Sequence, residues 1–350
     1  MVTQLSVRDL CVRFPTSRGV VEAVNGVTFS LEKGAMLGIV GESGSGKSVT
    51  AKALMNLLPR TADMNGEVRF DGEDVRALAA AGRKHFWGVK MTMVFQDPMT
   101  SLNPVKKCGE QIAETLRYHL GYDKRAAMEA ATDLLEQVGI PEPGKRVPQY
   151  PHQLSGGLRQ RVVIAMALAC EPDLLIADEP TTAVDVTVQK RILDLLDSLR
   201  KERGMSMILI THDLGVARGR CDDVAVMYAG RIVERAATET LFDRSRHPYT
   251  GALLRSIPRI DQPSHARLDP IHGRPPELID PPVQCAFAPR CHYAQADCLE
   301  MVPKTEGIGQ SHEFACHHPA NTANGRESLA ANAAAGVTVA GLKIGHEMER

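Results

Sequence analysis

Between residue 1 and about 255 the chain alternates short apolar runs with stretches whose apolar positions recur at helical spacing. A parallel sheet covered by helices produces that pattern. Met36–Val40, Leu174–Ala177 and Met207–Ile210 read as short buried strands. Lys47–Leu58 reads as a helix stopped by Pro59. Ile192, Leu195, Leu196 and Leu199 fall at i, i+3, i+4 and i+7, one apolar face of a further helix. Lys107–Gly139 is almost wholly helical in pattern and predicts an inserted helical subdomain, about 97–170. After residue 256 prolines become frequent and elements short, which sets off an extension over 256–320 from a first domain over 1–255. The tail, 321–350, is rich in Ala, Asn and Gly and is expected to be poorly ordered.

Composition narrows the class. The chain has 350 residues, 43% hydrophobic and 24% charged, which excludes global disorder. Forty-one basic and 42 acidic side chains leave a formal charge of −1, so a uniformly basic nucleic-acid binder is disfavoured and no nucleic-acid partner is expected. The longest apolar run, Val162–Cys170, has nine residues, fewer than the roughly 18–20 a membrane helix needs. The N-terminus lacks a basic head followed by an apolar core, so neither a standard secretion signal nor a membrane span is expected.

Gly41-Glu-Ser43-Gly44-Ser-Gly46-Lys47-Ser48 carries the first chemistry. A glycine-rich turn between an apolar strand and a helix points consecutive backbone N–H groups inward at an anion. The helix start adds its positive dipole end. Lys47 supplies a charge for β- and γ-phosphates, and Ser48 a hydroxyl for Mg²⁺. Leu174-Leu-Ile-Ala-Asp178-Glu179 is the second half, an apolar strand ending in two carboxylates at the sheet edge where such folds place ligands. Asp178 is placed to hold Mg²⁺ through water and Glu179 to polarise an attacking water.

Leu154-Ser155-Gly156-Gly157-Leu-Arg-Gln160 singles out one branch of phosphate-loop proteins. The chain resembles the ATP-binding subunit of an ABC transporter, whose LSGGQ-like segment opens a helix shortly before the acidic strand. Leu158 stands where many members have Gln. The resemblance implies a P-loop α/β ABC ATPase fold with a helical subdomain and a small Cys-bearing C-terminal extension. It also implies a second anion site at Ser155, Gly156 and Gly157 facing the γ-phosphate on an opposing subunit. Gln96 matches the glutamine that senses Mg²⁺ or the attacking water. Thr182-Ala-Val-Asp185 resembles the D-loop, and His212 matches the switch histidine that contacts the γ-phosphate. Family members commonly stack adenine on an aromatic residue near position 18. Arg18 stands there, 29 residues before Lys47, and its guanidinium plane is the candidate platform, with Phe14 the other.

Phe95-Gln-Asp-Pro-Met-Thr-Ser-Leu-Asn-Pro104, Tyr150-Pro-His-Gln-Leu-Ser-Gly-Gly157 and Arg246-His-Pro-Tyr-Thr-Gly-Ala-Leu-Leu254 are similar to the oligopeptide/dipeptide branch of importers. That branch also includes nickel-type permeases, so nickel or another small solute remains an alternative cargo. The resemblance implies an ATPase that powers peptide import, peripheral on the cytoplasmic face of the cell membrane. Its implied partners are two transmembrane permease subunits, a sister ATP-binding subunit and an extracytoplasmic binding protein. DNA-repair relatives split the head with long coiled coils, whereas Lys47 and Ser155 are 108 residues apart with no heptads between them. Exporter ATPases are often fused to membrane helices and lack such an extension.

Cys285, Cys291, Cys298 and Cys316 crowd into that extension, while Cys11, Cys108, Cys170 and Cys221 are scattered and read as small buried side chains. Clustered thiolates suit zinc or an iron–sulfur cluster, and disulfides are a further alternative. The spacing matches neither the paired C-x₂-C of zinc ribbons nor ferredoxin runs. In several importers of the peptide branch a corresponding extension carries a [4Fe-4S] cluster, and the resemblance implies one on these four residues.

Overall fold

The computed structural model describes residues 2–80, 86–181, 185–257, 271–281, 283–309 and 312–344. Five parallel strands form the centre: β3 (Met36–Val40), β6 (Met91–Val94), β7 (Leu174–Asp178), β8 (Ser206–Thr211) and β9 (Asp223–Tyr228). They lie in the order β9-β3-β8-β7-β6. Their alternate side chains enter two cores. Leu37, Ile39, Ile176, Ile208 and Ile210 face one, and Met36, Val40, Ala177, Met207 and Leu209 face the other. A strand covered on both faces has no polar face to show, which is why these segments read as unbroken apolar runs.

The first core is closed by an antiparallel sheet of β1 (Thr3–Thr16), β2 (Gly19–Glu32), β4 (Asp63–Phe70) and β5 (Glu73–Asp74), in the order β2-β1-β4-β5. Leu5, Val7, Val24 and Phe29 pack there against the helix Lys47–Leu54. That helix ends four residues before the predicted Leu58. Asn56 adopts a left-handed φ of 51°, which a continuing helix does not permit. The second core receives the helices Cys108–Leu120, Lys124–Gln137, Gly156–Leu168 and Val186–Arg203. Gly121, at φ 71°, divides the predicted helical stretch into two.

The extension joins the central sheet. After β10 (Arg231–Ala237) come β11 (Glu306–Ile308) and β12 (His312–Phe314), which continue it antiparallel in the order β11-β12-β10-β9. The joint is organised by Glu234 on β10, which is fully buried. Its Oε1 accepts from Arg246 N–H at 2.6 Å and lies 2.8 Å from His312 Nε2, and its Oε2 accepts from His247 N–H at 2.9 Å. One carboxylate thus holds the start of the helix Pro248–Arg255 and a strand of the extension. Gln at this position has one acceptor oxygen and turns an NH₂ toward donors. Glu234→Gln should therefore lower the unfolding free energy by about 2–4 kcal/mol in urea titrations, with a loss under about 0.5 kcal/mol refuting the clamp.

The tail contains a helix, Ala323–Ala335, where the composition predicted poor order. Thr322 caps it, accepting from Gly325 N–H at 3.0 Å. Its Asn332 is buried and donates to the carbonyls of His292 and Ala294 at 2.9 and 3.0 Å. Few apolar residues are needed for docking because the contact is made by amide hydrogen bonds, which a hydropathy reading does not register. No helix among the described residues is long and apolar enough to cross a membrane.

Candidate functional site

The cradle Gly41–Ser48 leaves the end of β3 and enters the helix at Lys47. Two of its glycines are dictated by space. A Cβ on Gly41 would stand 2.1 Å from the Met227 carbonyl oxygen. One on Gly46, at φ 102°, would stand 2.3 Å from that of Ala23. Lys47 is only 4% exposed, and its Nζ donates to the carbonyls of Gly41 and Glu42 at 2.7 and 2.8 Å. Burial lowers its pKa, opposed by the nearby charges of Glu179, Asp178 and Glu42. A buried ammonium at a helix start fits a phosphate ligand.

Beside it, Ser48 Oγ donates to Asp178 Oδ1 at 3.0 Å. Asp178 is buried at the end of β7, and its pKa is raised by desolvation and by Glu179, against the lowering effect of the Ser48 hydrogen bond. A hydroxyl and a carboxylate at this spacing are hard oxygen donors that fit Mg²⁺. Glu179 follows in a left-handed conformation, φ 45°, its N–H bonded to Ile210 O at 3.0 Å. Strain of that kind in a non-glycine residue collects at functional positions. Gln96 Nε2 donates to Glu179 Oε2 at 2.9 Å, and His212 Nδ1 lies 3.4 Å from Oε1. Three separately predicted residues, on the ends of three neighbouring strands, thus meet on one carboxylate.

The other predicted residues stand apart from this centre. Ser155 caps the helix Gly156–Leu168, its Oγ accepting from Leu158 N–H at 3.4 Å, and it is exposed. Gly157 leaves room for Val188, whose methyl would be 3.0 Å from a Cβ there. Asp185 caps Val186–Arg203 through Val188 N–H at 2.9 Å. Thr182, Ala183 and Val184 of the D-loop match lie outside the described residues. Arg18, in the β1–β2 turn, pairs at 3.1 Å with Glu277 of the extension, and both side chains are exposed. Phe14 packs against the core of the antiparallel sheet.

Cys285, Cys291, Cys298 and Cys316 line one small pocket together with His247 and Tyr293, and none is in a disulfide. Backbone bonds tie their loops: Cys285 N–H to Cys298 O at 3.0 Å, and Ala288 N–H to Cys285 O at 3.0 Å. Burial first, then mutual repulsion, raises the Cys291 thiol well above its ordinary value, and burial pushes Cys298 up to about 12. A bound cation relieves that penalty by stabilising thiolates, so the donor set fits a metal or cluster. Among the described residues the one trio of ligating atoms drawn within 4.8 Å of one another is Asp297, Cys298 and His318. His318 Nε2 is already engaged by Asp297 Oδ1 at 2.8 Å. His247, held neutral by burial with a pKa near 4, accepts Tyr249 N–H on Nδ1 at 3.1 Å.

Sequence reasoning missed two side chains next to the cradle. Tyr249, within a segment noted only as a family marker, accepts Glu42 N–H on its hydroxyl at 2.9 Å. Arg290, from the cysteine loop, forms a bidentate pair with the Glu42 carboxylate at 2.7 and 2.9 Å. Glu42 occupies a variable position of the cradle pattern, and the proximity of Arg290 to Cys291 was the one available signal.

The ABC transporter family profile matches residues 24–182, and the profile described as "Oligopeptide/dipeptide transporter, C-terminal region" matches 233–298. The chain is 50% identical over 300 residues to the oligopeptide transport ATP-binding protein OppD of Haemophilus influenzae, covering 86% of this chain and 92% of that one. It is 48% identical over 314 residues to the dipeptide transport ATP-binding protein DppD of Bacillus subtilis, covering 89% and 93%. Among solved structures it is similar to a dimeric post-hydrolysis state of the ATP-binding cassette MJ0796 bound to ADP and Pi. That likeness has a TM-score of 0.60 and 27% identity over 67% of this chain and 98% of the cassette.

Proposed function

The chain belongs to the ABC transporter family, in its oligopeptide/dipeptide transport ATP-binding branch, and from that premise we propose how its residues divide the work. It is an ATPase that powers peptide import through membrane permease subunits. The convergence of Gln96 and His212 on Glu179, next to the Ser48–Asp178 pair, carries the assignment of roles. Gly41, Ser43, Gly44, Gly46 and Lys47 cradle the phosphates of ATP. Ser48 and Asp178, with Gln96 beside them, hold Mg²⁺, which when bound supplies charge neutralisation at the γ-phosphate. Glu179 accepts the proton of the attacking water, Gln96 orients that water, and His212 contacts the γ-phosphate.

Ser155, Gly156 and Gly157 serve the nucleotide of a sister ATP-binding subunit, and Asp185 lies at the same interface. Arg18 offers the adenine a guanidinium plane, for which it must leave Glu277. The assembly has two permeases, a sister ATPase and an extracytoplasmic binding protein, with this chain on the cytoplasmic face of the membrane. Residues 1–255 form the nucleotide-binding unit and 256–320 the extension. In vesicles carrying the complete transporter, Mg-ATP should drive uptake of a labelled dipeptide, and Lys47→Ala should end it. Uptake of a nickel chelate without peptide uptake would move the chain to the alternative cargo.

The four cysteines of the extension hold a [4Fe-4S] cluster. All four line one small pocket, and clustered thiols are suitable donors for such a group. The cluster ties together a segment too short to build its own core. Anaerobically purified chain should contain about four iron atoms and absorb broadly near 400 nm. Zinc without iron in that preparation would retire the cluster.

A further inference from the structure

Arg290 closes the short turn Ala288–Arg290, between Cys285 and Cys291. Its side chain is 4% exposed, although it belongs to the extension, and it reaches into the nucleotide unit. Both terminal nitrogens bond the Glu42 carboxylate, Nη1 to Oε2 at 2.7 Å and Nη2 to Oε1 at 2.9 Å. Nε donates to His272 O at 2.8 Å, and Nη1 meets the Tyr228 hydroxyl at 3.3 Å. The guanidinium is therefore held on several edges and has one geometry in which to present its fork.

Glu42 is the second residue of the cradle, and its main chain is fixed at both ends. Tyr249 Oη accepts its N–H at 2.9 Å, while its carbonyl accepts Lys47 Nζ at 2.8 Å and Ser45 N–H at 3.2 Å. The supports behind it form one block: the rings of Tyr228, Tyr249 and Phe287 have centroids 4.5–5.3 Å apart. A second contact of the extension runs along the hairpin that carries Arg18, where Glu22 N–H bonds Leu278 O at 2.8 Å and Asp280 N–H bonds Val20 O at 3.0 Å. The extension thus touches the nucleotide unit at the phosphate end and at the turn bearing the base candidate.

We infer that Arg290 is a positioning residue of the ATP site, acting through Glu42 to set the cradle peptide that receives Lys47. The inference rests on the reading that the cradle binds ATP. A structural staple and a positioning residue predict different things. A staple lost lowers the melting temperature and leaves nucleotide affinity alone, whereas a positioning residue lost weakens ATP binding in the folded protein.

The test is equilibrium titration of full-length chain with a fluorescent Mg-ATP analogue, for wild type, Glu42→Gln, Arg290→Gln, Arg290→Lys and the Glu42→Gln/Arg290→Gln double variant. Each Gln variant should raise Kd about tenfold, and the double variant should be no weaker than the worse single, since both remove the same bridge. Arg290→Lys should fall between, keeping the charge without the fork. In the assembled transporter the KM for ATP should rise with kcat within about twofold of wild type. Unchanged Kd in the single Gln variants, or effects that multiply in the double, would overturn the inference. If Arg290→Gln does not fold, Glu42→Gln decides alone, because its substitution leaves the extension's own residues intact. Failure of wild type itself to bind the analogue would instead count against the cradle as an ATP site.

Discussion

Replacing Glu179 by Gln should cut ATP turnover about 10²–10⁴-fold while leaving the affinity for Mg-ATP within about twofold. Gln matches Glu in size, so the left-handed turn at φ 45° and the main-chain bond to Ile210 O should persist. What changes is the capacity to take a proton. Glu179 is a carboxylate held by Gln96 Nε2 at 2.9 Å and by His212 Nδ1 at 3.4 Å, with its side chain 12% exposed. Those neighbours aim the side chain; an amide in the same place can be aimed and still accept no proton. Lys47, Ser48 and the glycine turn, which the binding reading relies on, are untouched. Phosphate release by the full complex at saturating Mg-ATP checks the rate, and titration of the single chain checks the affinity. Turnover within about fivefold of wild type would show that Glu179 is not the base. His212→Ala should also lower the rate, since it removes a support of Glu179 and the group assigned to the γ-phosphate.

The ATP-site part of that constellation was legible in the sequence because each piece is local. A glycine-rich turn between strand and helix, or an apolar strand ending in Asp178-Glu179, is a contiguous pattern whose chemistry follows from its residues. Spacing could not show that Gln96, Glu179 and His212 touch; that required the strand order β8-β7-β6, which juxtaposes their C-terminal ends. Glu234 and Arg290 were illegible for the opposite reason. Each is one charged residue among many, and its importance arises from partners far away in the chain: Arg290 meets Glu42 248 positions away, and Glu234 meets His312 78 away. Burial converts an ordinary surface-type residue into a clamp, and burial of a single charge has no periodicity to read. The tail helix escaped notice because Asn332 and Ser328 dock it, and both residue types suggest solvent exposure.

Ser155→Arg should open the assembled pair of ATPase subunits without weakening ATP binding to the isolated chain. Ser155 is exposed at the start of its helix, and its hydrogen bonds are local ones to Leu158 N–H and Arg159 N–H. A hydroxyl and two glycines at a helix N-terminus, Gly156 and Gly157, suit an anion brought by another molecule. If each of two ATP molecules bridges a cradle and an opposing Ser155-type segment, closure from 1:99 to 99:1 requires about 5.5 kcal/mol in all. Each bridge then contributes about 2.7 kcal/mol, within reach of one or two charge-assisted hydrogen bonds at about 1.5–3 kcal/mol each. Losing one bridge should reduce the closed form from nearly all to about half, and losing both should leave about one in a hundred closed. The measurement is energy transfer between labelled subunits in a complex carrying Glu179→Gln, saturated with Mg-ATP so that hydrolysis does not reset it. Ser155→Thr, which keeps the hydroxyl and the cap, should remain closed. A complex with Ser155→Arg that stays fully closed would place the γ-phosphate contact elsewhere, and a single chain that loses ATP affinity would place Ser155 in its own cradle.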